Sequence, residues 1–275
     1  MKKSTLLLMA ALGCLCLPMA AQSDDGDGGF GARISATADK VIMTGFHVSL
    51  GEELRFDNQF GLERSYTTLA LSYKAADWLK LGLSYDAIAV PKSETQTVGG
   101  ESVTQNYTDW RHRASFDLTE TYKYSNWRFS LRERLQMTHR TKPSLDTYQT
   151  TRNALALRLR GKVAYKMTYT PIEPYAFVEA RFGLNDPKWD AASTTDAYAT
   201  SQFLGFSDSY LNRLRAGLGL EWKINVWHSL DFYGFYDSLT DKDISAKRKK
   251  GVLKAPVTSV HTNRFTIGVA YKFSF

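Results

Sequence analysis

The sequence is poor in residues that cross-link a chain. It holds two cysteines and seven prolines in 275 residues, and both cysteines, Cys14 and Cys16, fall within the first 21 positions. A chain without those 21 residues has no thiol for a disulfide, a cysteine metal site or a cysteine nucleophile. Cysteine chemistry is therefore excluded from the rest of the sequence.

A long apolar run is also missing after the first residues. The apolar stretch 5–17 follows two lysines and ends at Pro18 and small residues. It is shorter than the roughly 20 residues that a spanning helix needs, and it has the three-part form of a secretory signal peptide. We predict that residues 1–21 are a signal peptide, cleaved near Ala21. A lipoprotein site at Cys14 is the weaker alternative, because its flanking sequence is a poor lipobox.

Charge of one sign and catalytic motifs are scarce as well. The formal charge of +7 falls to +5 without residues 1–21, with 33 basic against 28 acidic residues, and this excess is too small to indicate a nucleic-acid partner. The acidic, glycine-rich residues 22–30 are predicted to be a flexible leader, since they lack the last glutamate of a calcium loop. The sequence contains no zinc spacing, phosphate loop or Gly-Xaa-Ser-Xaa-Gly elbow. We therefore predict no catalytic residue, metal or cofactor.

Aromatic residues are abundant, and the C-terminal segment 264–275 arranges them by alternation. Every second residue from Phe265 to Phe275 is apolar or aromatic, whereas the residues from Arg264 to Ser274 between them are small or polar. This pattern is typical of a strand with lipid on one side and a wet lumen on the other. A terminal aromatic also resembles the signal that bacterial barrel-assembly machinery recognises. We expect that machinery to bind the strand ending at Phe275.

The same pattern recurs along the chain. An aromatic residue followed by lysine and a short turn recurs at spacings of 43 to 57 residues, at Tyr73, Tyr122, Tyr165, Trp222 and Tyr271. Long polar connections lie between these repeats, and outer-membrane barrels combine short periplasmic turns with long extracellular loops. Residues 31–275 are thus predicted to form an all-β, transmembrane, antiparallel up-and-down β-barrel of about 10–12 strands. We expect it in the bacterial outer membrane, in contact with outer-membrane lipids, with the five aromatics as a girdle.

Ten segments show clear alternation, and an eleventh raises a parity problem. The ten are residues 46–57, 65–74, 79–90, 110–122, 127–138, 153–165, 174–184, 211–222, 229–237 and 260–275. Segment 30–40 is also strand-like. Bacterial barrels have even strand numbers, so we expect ten or twelve strands. Segment 30–40 would then be a short periplasmic or lumenal strand, or the neighbour of a hidden twelfth span.

Two outward positions, Glu52 and Glu133, break the apolar pattern. A carboxylate facing the middle of a bilayer is costly. Each glutamate therefore indicates either a local bulge or a polar partner.

The inward face is rich in arginine and carboxylates. The candidate lumen-lining residues are Glu53, Arg55, Arg111, Arg113, Asp117, Arg128, Arg132, Arg134, Arg158, Arg160, Glu179, Arg181, Arg213, Arg215, Glu221 and Asp231. A structural ion-pair ladder is one interpretation, because buried charges need partners. A narrow pore that favours a small anionic solute is another. A third is a surface lipid or peptide hydrolase, or a ligand binder, in which His139 or His261 acts with Asp146 or Asp237 at the rim.

Several short motifs resemble a known bacterial family, the one catalogued as domain of unknown function 2490. The likeness runs from about residue 34 to residue 275. Its motifs are Gly51-Glu52-Glu53-Leu54-Arg55-Phe56-Asp57, Trp110-Arg111-His112-Arg113, Leu131-Arg132-Glu133-Arg134 with Gln136, Thr170-Pro171 to Glu173-Pro174-Tyr175, and Asn212-Arg213-Leu214-Arg215-Ala216-Gly217-Leu218. The resemblance implies an outer-membrane barrel of Gram-negative bacteria and no particular activity, cofactor or partner. It also implies that the arginine motifs and the outward Glu133 belong to the family pattern.

Overall fold

The computed structural model describes residues 29–98, 101–141, 151–190, 202–244, 247–249, 252–254 and 257–275. The predicted signal peptide, Asp146 and all but the last two residues of the predicted leader lie outside these residues. Within them the regular elements are strands, and none of the described residues forms a helix long and apolar enough to cross a membrane. The prediction of an all-β fold is confirmed.

The described residues form thirteen strands. They are β1 (Gly29–Met43), β2 (Phe46–Phe56), β3 (Leu62–Lys74), β4 (Leu79–Val98), β5 (Glu101–Tyr124), β6 (Trp127–Arg140), β7 (Asn153–Tyr165), β8 (Ile172–Asp190), β9 (Gln202–Lys223), β10 (His228–Ile244), β11 (Lys247–Lys249), β12 (Val252–Lys254) and β13 (Val257–Ser274). Eleven of them close a barrel in the order β1-β13-β10-β9-β8-β7-β6-β5-β4-β3-β2, and β11 and β12 form a separate hairpin. β1 begins two residues before the predicted start of the barrel.

The expectation of an even strand number is wrong for the described residues. β1 is a full strand of the wall, antiparallel to β2 and parallel to β13, with register partners from Gly29–Arg264 to Asp39–Ser274. The main chain of Phe275 continues the contact, since its amide donates to the Asp39 carbonyl at 2.9 Å. A parallel pair allows an odd-numbered sheet to close, because the first and last strands then run in the same direction.

The two ends of the barrel differ in the length of their connections. Short connections join β1 to β2, β3 to β4, β5 to β6, β7 to β8 and β9 to β10, and we call this the short-turn end. The turn at Thr44–Gly45 needs its glycine, because Gly45 has a φ of 80°. The opposite end carries the connections from β6 to β7, from β8 to β9 and from β10 to β13, each longer than ten residues, and we call it the long-loop end. The predicted girdle residues Tyr73, Tyr122 and Trp222 lie at the short-turn end and are 40–67 % exposed.

Part of the predicted long loops is strand. β4 and β5 stay paired out to Val98 and Glu101, and β10 and β13 stay paired out to Ile244 and Val257. The sequence predicts strands only at 79–90 and 110–122 in this region, because segments 91–98 and 101–108 are polar on both faces. Two strands pair through main-chain hydrogen bonds, which do not depend on the side chains. A hairpin can therefore continue beyond the membrane without alternating apolar residues, because neither of its faces contacts lipid or a core there.

The lumen holds the core of this protein. Inward side chains of β8 and β10 form an aromatic cluster of Tyr175, Phe177, Tyr233 and Phe235, and Tyr66, Ile88 and Val90 pack together on β3 and β4. The cluster covers inward glycines of β9, which lies between β8 and β10. A Cβ atom on Gly217 would lie 2.6 Å from Phe177 Cε1 and 2.7 Å from Phe235 Cβ. The absence of a side chain at Gly217 therefore makes room for both rings.

Replacing Gly217 by alanine should destabilise the barrel by about 1–3 kcal/mol, the usual cost of overpacking a tight core. Gly161 is a matched control on the outer face, because a Cβ there would meet nothing closer than Val178 Cγ2 at 3.8 Å. Urea unfolding in lipid vesicles, followed by tryptophan fluorescence, would measure both changes. Equal stability of the two alanine variants would contradict the packing described for Gly217.

Candidate functional site

The inward arginines of neighbouring strands stand directly opposite one another. Register places a row of four arginines across β6, β7, β8 and β9: Arg134, Arg158, Arg181 and Arg213. The adjacent row towards the short-turn end runs from β6 to β10 through Arg132, Arg160, Glu179, Arg215 and Asp237. Like charges directly opposite each other destabilise a sheet. The arrangement therefore depends on the carboxylates that lie among the guanidinium groups.

Glu179 is the centre of this charge cluster. Its carboxylate has no solvent exposure, and its Oε1 accepts hydrogen bonds from Arg158 Nη2 at 2.7 Å and Arg213 Nη2 at 3.0 Å. Arg132 approaches from β6 at 3.8 Å and Arg215 from β9 at 3.9 Å. One carboxylate thus faces four arginines from three strands. A buried carboxylate of this kind is stable only with such partners.

Two bidentate pairs extend the cluster to both sides. Arg134 donates to Asp117 on β5 at 2.5 and 2.7 Å, and Arg215 donates to Asp237 on β10 at 2.6 and 2.8 Å. Planar guanidinium groups fit carboxylates in this two-bond form. We call the whole set the central network: Asp117, Arg132, Arg134, Arg158, Glu179, Arg213, Arg215 and Asp237. It connects side chains from six consecutive strands of the wall, β5 to β10.

Cations also lie against aromatic rings in the lumen. The Arg55 guanidinium donates to Glu53 at 2.5 Å and lies 4.1 Å from the ring centroid of Tyr66. Two guanidinium groups lie near the ring centroid of Phe235, that of Arg215 at 3.9 Å and that of Arg33 at 4.8 Å. Cation–π contacts of this kind add to the ion pairs of Arg55 and Arg215 and hold Arg33 against a ring.

The structure does not bring the sixteen predicted lumen residues into one site. Seven of the sixteen belong to the central network. Others form separate pairs: Glu53 with Arg55, Arg111 with Asp109 at 2.8 Å, and Arg128 with Glu173. Arg113 donates to the Thr138 hydroxyl at 3.0 Å, and Asp231 accepts two bonds from the Tyr175 hydroxyl. Glu221 stands opposite Glu173 and Asp231, and Arg181 lies within the arginine row.

Sequence reasoning placed one member of the network wrongly. Asp237 was expected at the rim with a histidine, yet its carboxylate is buried against Arg215. The polar residues that follow Asp237 made the strand seem to end there, whereas β10 continues to Ile244. The inward aromatics Tyr66 and Phe235 were also missed. Their inward positions, next to strands that carry inward arginines, were the feature of the sequence that could have indicated these contacts.

A cavity occupies the lumen between the network and the short-turn end. It has a volume of about 670 Å³, and its charged lining comprises Asp39, Lys80, Asp86, Asp117, Arg132, Arg134, Arg160, Lys162 and Lys272. Small hydroxyl residues of β2 to β6 complete much of the wall. Asp117, Arg132 and Arg134 belong to both the cavity and the central network, so the network forms one boundary of the cavity.

A family model described as a protein of unknown function, DUF2490, matches residues 32–248. The chain belongs to this family. The match begins two residues before the resemblance noted in the sequence and ends within β11. A search of the curated proteins gave no match for this DUF2490 chain.

Solved structures similar to this DUF2490 chain are outer-membrane proteins of Vibrio cholerae. The outer-membrane expressed OmpT is 15 % identical with a TM-score of 0.39, and 82 % of this chain covers 60 % of that chain. In-vitro folded OmpT is 15 % identical with a TM-score of 0.40, and the match covers 83 % of this chain and 61 % of that chain. The loop L8 deletion mutant of OmpT is 14 % identical with a TM-score of 0.40, and the match covers 84 % of this chain and 60 % of that chain. This chain thus spans about 60 % of the length of these structures.

The histidines of this DUF2490 barrel have polar or aromatic neighbours. His139 Nδ1 lies 2.7 Å from Asn153 Oδ1, and His261 Nδ1 lies 3.1 Å from the Thr240 hydroxyl. In the part of the chain that the structure describes, neither forms an ion pair with an aspartate, and no group of three His, Asp, Glu or Cys residues could hold a metal ion. The rim histidines therefore show no acid–base dyad within these residues.

The two outward glutamates differ in their surroundings. Glu52 accepts a hydrogen bond from the Thr67 hydroxyl on β3 at 2.7 Å, and the ladder is regular at this point. The hydrogen bond from Thr67 explains how a carboxylate is accommodated at this outward position. Glu133 stands between Leu118 and Leu159 in a regular ladder and makes no hydrogen bond or ion pair with the described residues. We have no physical account of an unpaired carboxylate there.

Proposed function

We propose that this protein is an integral barrel of the bacterial outer membrane whose lumen is closed at mid-depth by the central network. Apolar outward faces support membrane residence. Large apolar side chains on the outer face are 46–68 % exposed: Leu69, Leu83, Phe116, Leu135 and Leu218. Water-soluble proteins rarely expose so much contiguous apolar surface. The eleven strands of the barrel wall have 11 to 24 residues, and a tilted transmembrane strand needs about 9–11.

The buried carboxylate of Glu179 is the observation that carries the proposed closure. An ion crossing the barrel at this depth would have to displace guanidinium groups that are within 2.7–3.9 Å of Glu179. Inward neighbours leave little free space, because Phe235, Ile88 and Thr266 are at most 3 % exposed. Separating buried ion pairs is costly. A filled lumen of this kind favours a structural or gated barrel over an open diffusion pore.

Orientation and assembly follow from the ends of the barrel. Short turns face the periplasm in outer-membrane barrels, so we assign the short-turn end to the periplasm. The outward aromatics Phe265, Tyr271, Phe273 and Phe275 of the C-terminal segment suit recognition by the barrel-assembly machinery. The surrounding partners would be outer-membrane lipids.

Single-channel recording of the refolded protein in a planar bilayer would test the closed lumen. We expect no steady unitary current from the native sequence, once a heat-modifiable gel shift shows that the protein is folded. Steady currents that favour anions would overturn the closure and make the arginines the filter of a pore.

A double variant serves as the matched control for this recording. Replacing Asp117 and Arg134 together by serine removes both members of one bidentate pair, and thus leaves neither charge of the pair alone. We expect this variant to insert as the native protein does and to show small unitary currents. Such currents would locate the closure in the central network.

A further inference from the structure

We propose that the cavity at the short-turn end binds a small multivalent oxyanion, such as a soluble phosphorylated solute. Its access from the periplasm rests on the proposed function, whereas the binding site itself rests on the cavity lining. The volume of about 670 Å³ exceeds that of a single phosphate group, so there is room for an organic portion as well.

The cavity carries cations that the protein leaves unpaired. Lys80, Arg160 and Lys162 line it, and within the described residues none has a carboxylate oxygen inside the 4.0 Å limit of an ion pair. The Nε of Arg160 is buried without a hydrogen-bond partner. An unpaired buried charge is costly. Arg160 and Lys162 are partly buried, so a bound anion would relieve part of this cost for both and would give the exposed Lys80 a partner.

The carboxylates of the same lining are already satisfied. Asp39 pairs with Lys272 at 2.9 Å, Asp117 accepts two bonds from Arg134, and Asp86 accepts a bond from the Thr68 hydroxyl at 2.8 Å. Each of these carboxylates therefore already has a hydrogen-bond or ion-pair partner within the protein. The positive excess of the lining is concentrated on the three cations without carboxylate partners.

Aromatic rings fix two of these cations without neutralising them. The Lys162 ammonium lies 3.5 Å from the ring centroid of Tyr175, and the Arg160 guanidinium lies 3.9 Å from that of Phe177. A cation held by a ring keeps its full charge and its free donors. Both groups are therefore held in place for an anion, which lowers the entropy lost on binding.

The remaining lining suits the oxygens of a phosphate-type group. Ser49, Ser72, Ser84, Thr119 and Ser130 contribute hydroxyl groups to the cavity. Hydroxyls donate to anionic oxygens, and charge-assisted bonds of this kind are strong. These hydroxyls and the cations of the lining would find no partner on an acyl chain, so we assign the anion to a soluble solute rather than to a lipid.

Isothermal titration calorimetry with inorganic pyrophosphate, on the refolded protein in non-ionic detergent at low salt, would test the site. We expect one bound anion per chain. Lys80→Gln and Lys162→Gln should each weaken binding about tenfold, because each removes one charge-assisted contact. Lys80→Arg keeps the charge and should restore most of the affinity, which separates binding from folding. Sucrose, a neutral solute, should give no heat of binding.

Lys74→Gln is the matched control at the same end of the barrel. Lys74 is half exposed and pairs with the turn residue Asp77 outside the cavity. Its variant should bind pyrophosphate as the native protein does. Absence of binding to the native protein, or equal weakening by Lys74→Gln and Lys80→Gln, would overturn the site. Because the titration needs neither a bilayer nor a closed lumen, binding together with unitary currents would refute only the closure.

Discussion

Replacing Glu179 by alanine should lower the free energy of unfolding by about 3–5 kcal/mol, the usual cost of removing one partner of a buried ion pair. Four arginines approach its carboxylate, and Arg158 and Arg213 donate hydrogen bonds to it. Without Glu179, the direct cross-strand partners of Arg158 would both be arginines, and the one charged partner of Arg213 would be Arg181. Urea unfolding in lipid vesicles, followed by tryptophan fluorescence, would measure the loss.

Two further variants make this measurement specific to the buried charge. Glu179→Gln keeps the size and one hydrogen-bond acceptor, so it should lose less stability than the alanine variant but still clearly destabilise the barrel. Asp77→Asn removes a carboxylate whose partner Lys74 lies in solvent at the short-turn end, and such exposed pairs contribute little. We expect its unfolding midpoint to equal that of the native protein. A Glu179→Ala variant as stable as Asp77→Asn would show that the arginines do not depend on Glu179.

The fold was predictable where side chains alternate between two environments. Strand β6 is an example, because Phe129, Leu131 and Leu135 face outward and the intervening arginines face inward, as the sequence indicated. A period of two fixes the face of every residue once one face is known. The same period assigns all sixteen candidate lumen residues to one face of their strands.

The partners of those residues were not predictable from the same pattern. Arg132 lies on β6 and contacts Glu179 on β8, two strands away. Such a contact depends on the register of each ladder and on the tilt of the strands, neither of which alternation determines. Sequence reasoning therefore found the composition of the lumen but not Glu179 as its centre, and it missed Asp237 because a polar segment concealed the continuation of β10.

The direction of β1 was the other point that the sequence left open. Its inward residues Ser35 and Thr37 are polar and its outward residues Ala36 and Ala38 are small, so the strand pattern is visible but weak. The even-number rule then argued against a strand beginning at the long-loop end. The structure places β1 there in parallel with β13, where it pairs with both β2 and β13 so that neither is an unpaired edge.

A disulfide cross-link should show this parallel closure directly. Ser35 on β1 and Ala270 on β13 are register partners that both face the lumen. The sequence after residue 21 has no cysteine. In the double variant Ser35→Cys with Ala270→Cys, the two introduced cysteines would therefore be the only ones after residue 21. Register partners lie within the Cα separation of about 4.4–6.8 Å that a disulfide spans. We expect mild oxidation of the folded barrel to link nearly all chains, seen as a faster band on a non-reducing gel after heating.

The register of the pair supplies its own control. Ser35→Cys with Ser274→Cys places the second thiol on the same face of β13, four residues towards the C-terminus, which is about 13 Å farther at the rise of a strand. This variant should stay reduced under the same conditions. Linking of both pairs would indicate a β1 that slides along β13, and linking of neither would mean that β1 is not the closing strand. Without β1, the remaining ten strands could close an even-numbered barrel through β2 and β13. A Ser35–Ala270 disulfide would therefore show that β1 belongs to the wall and that the wall has eleven strands.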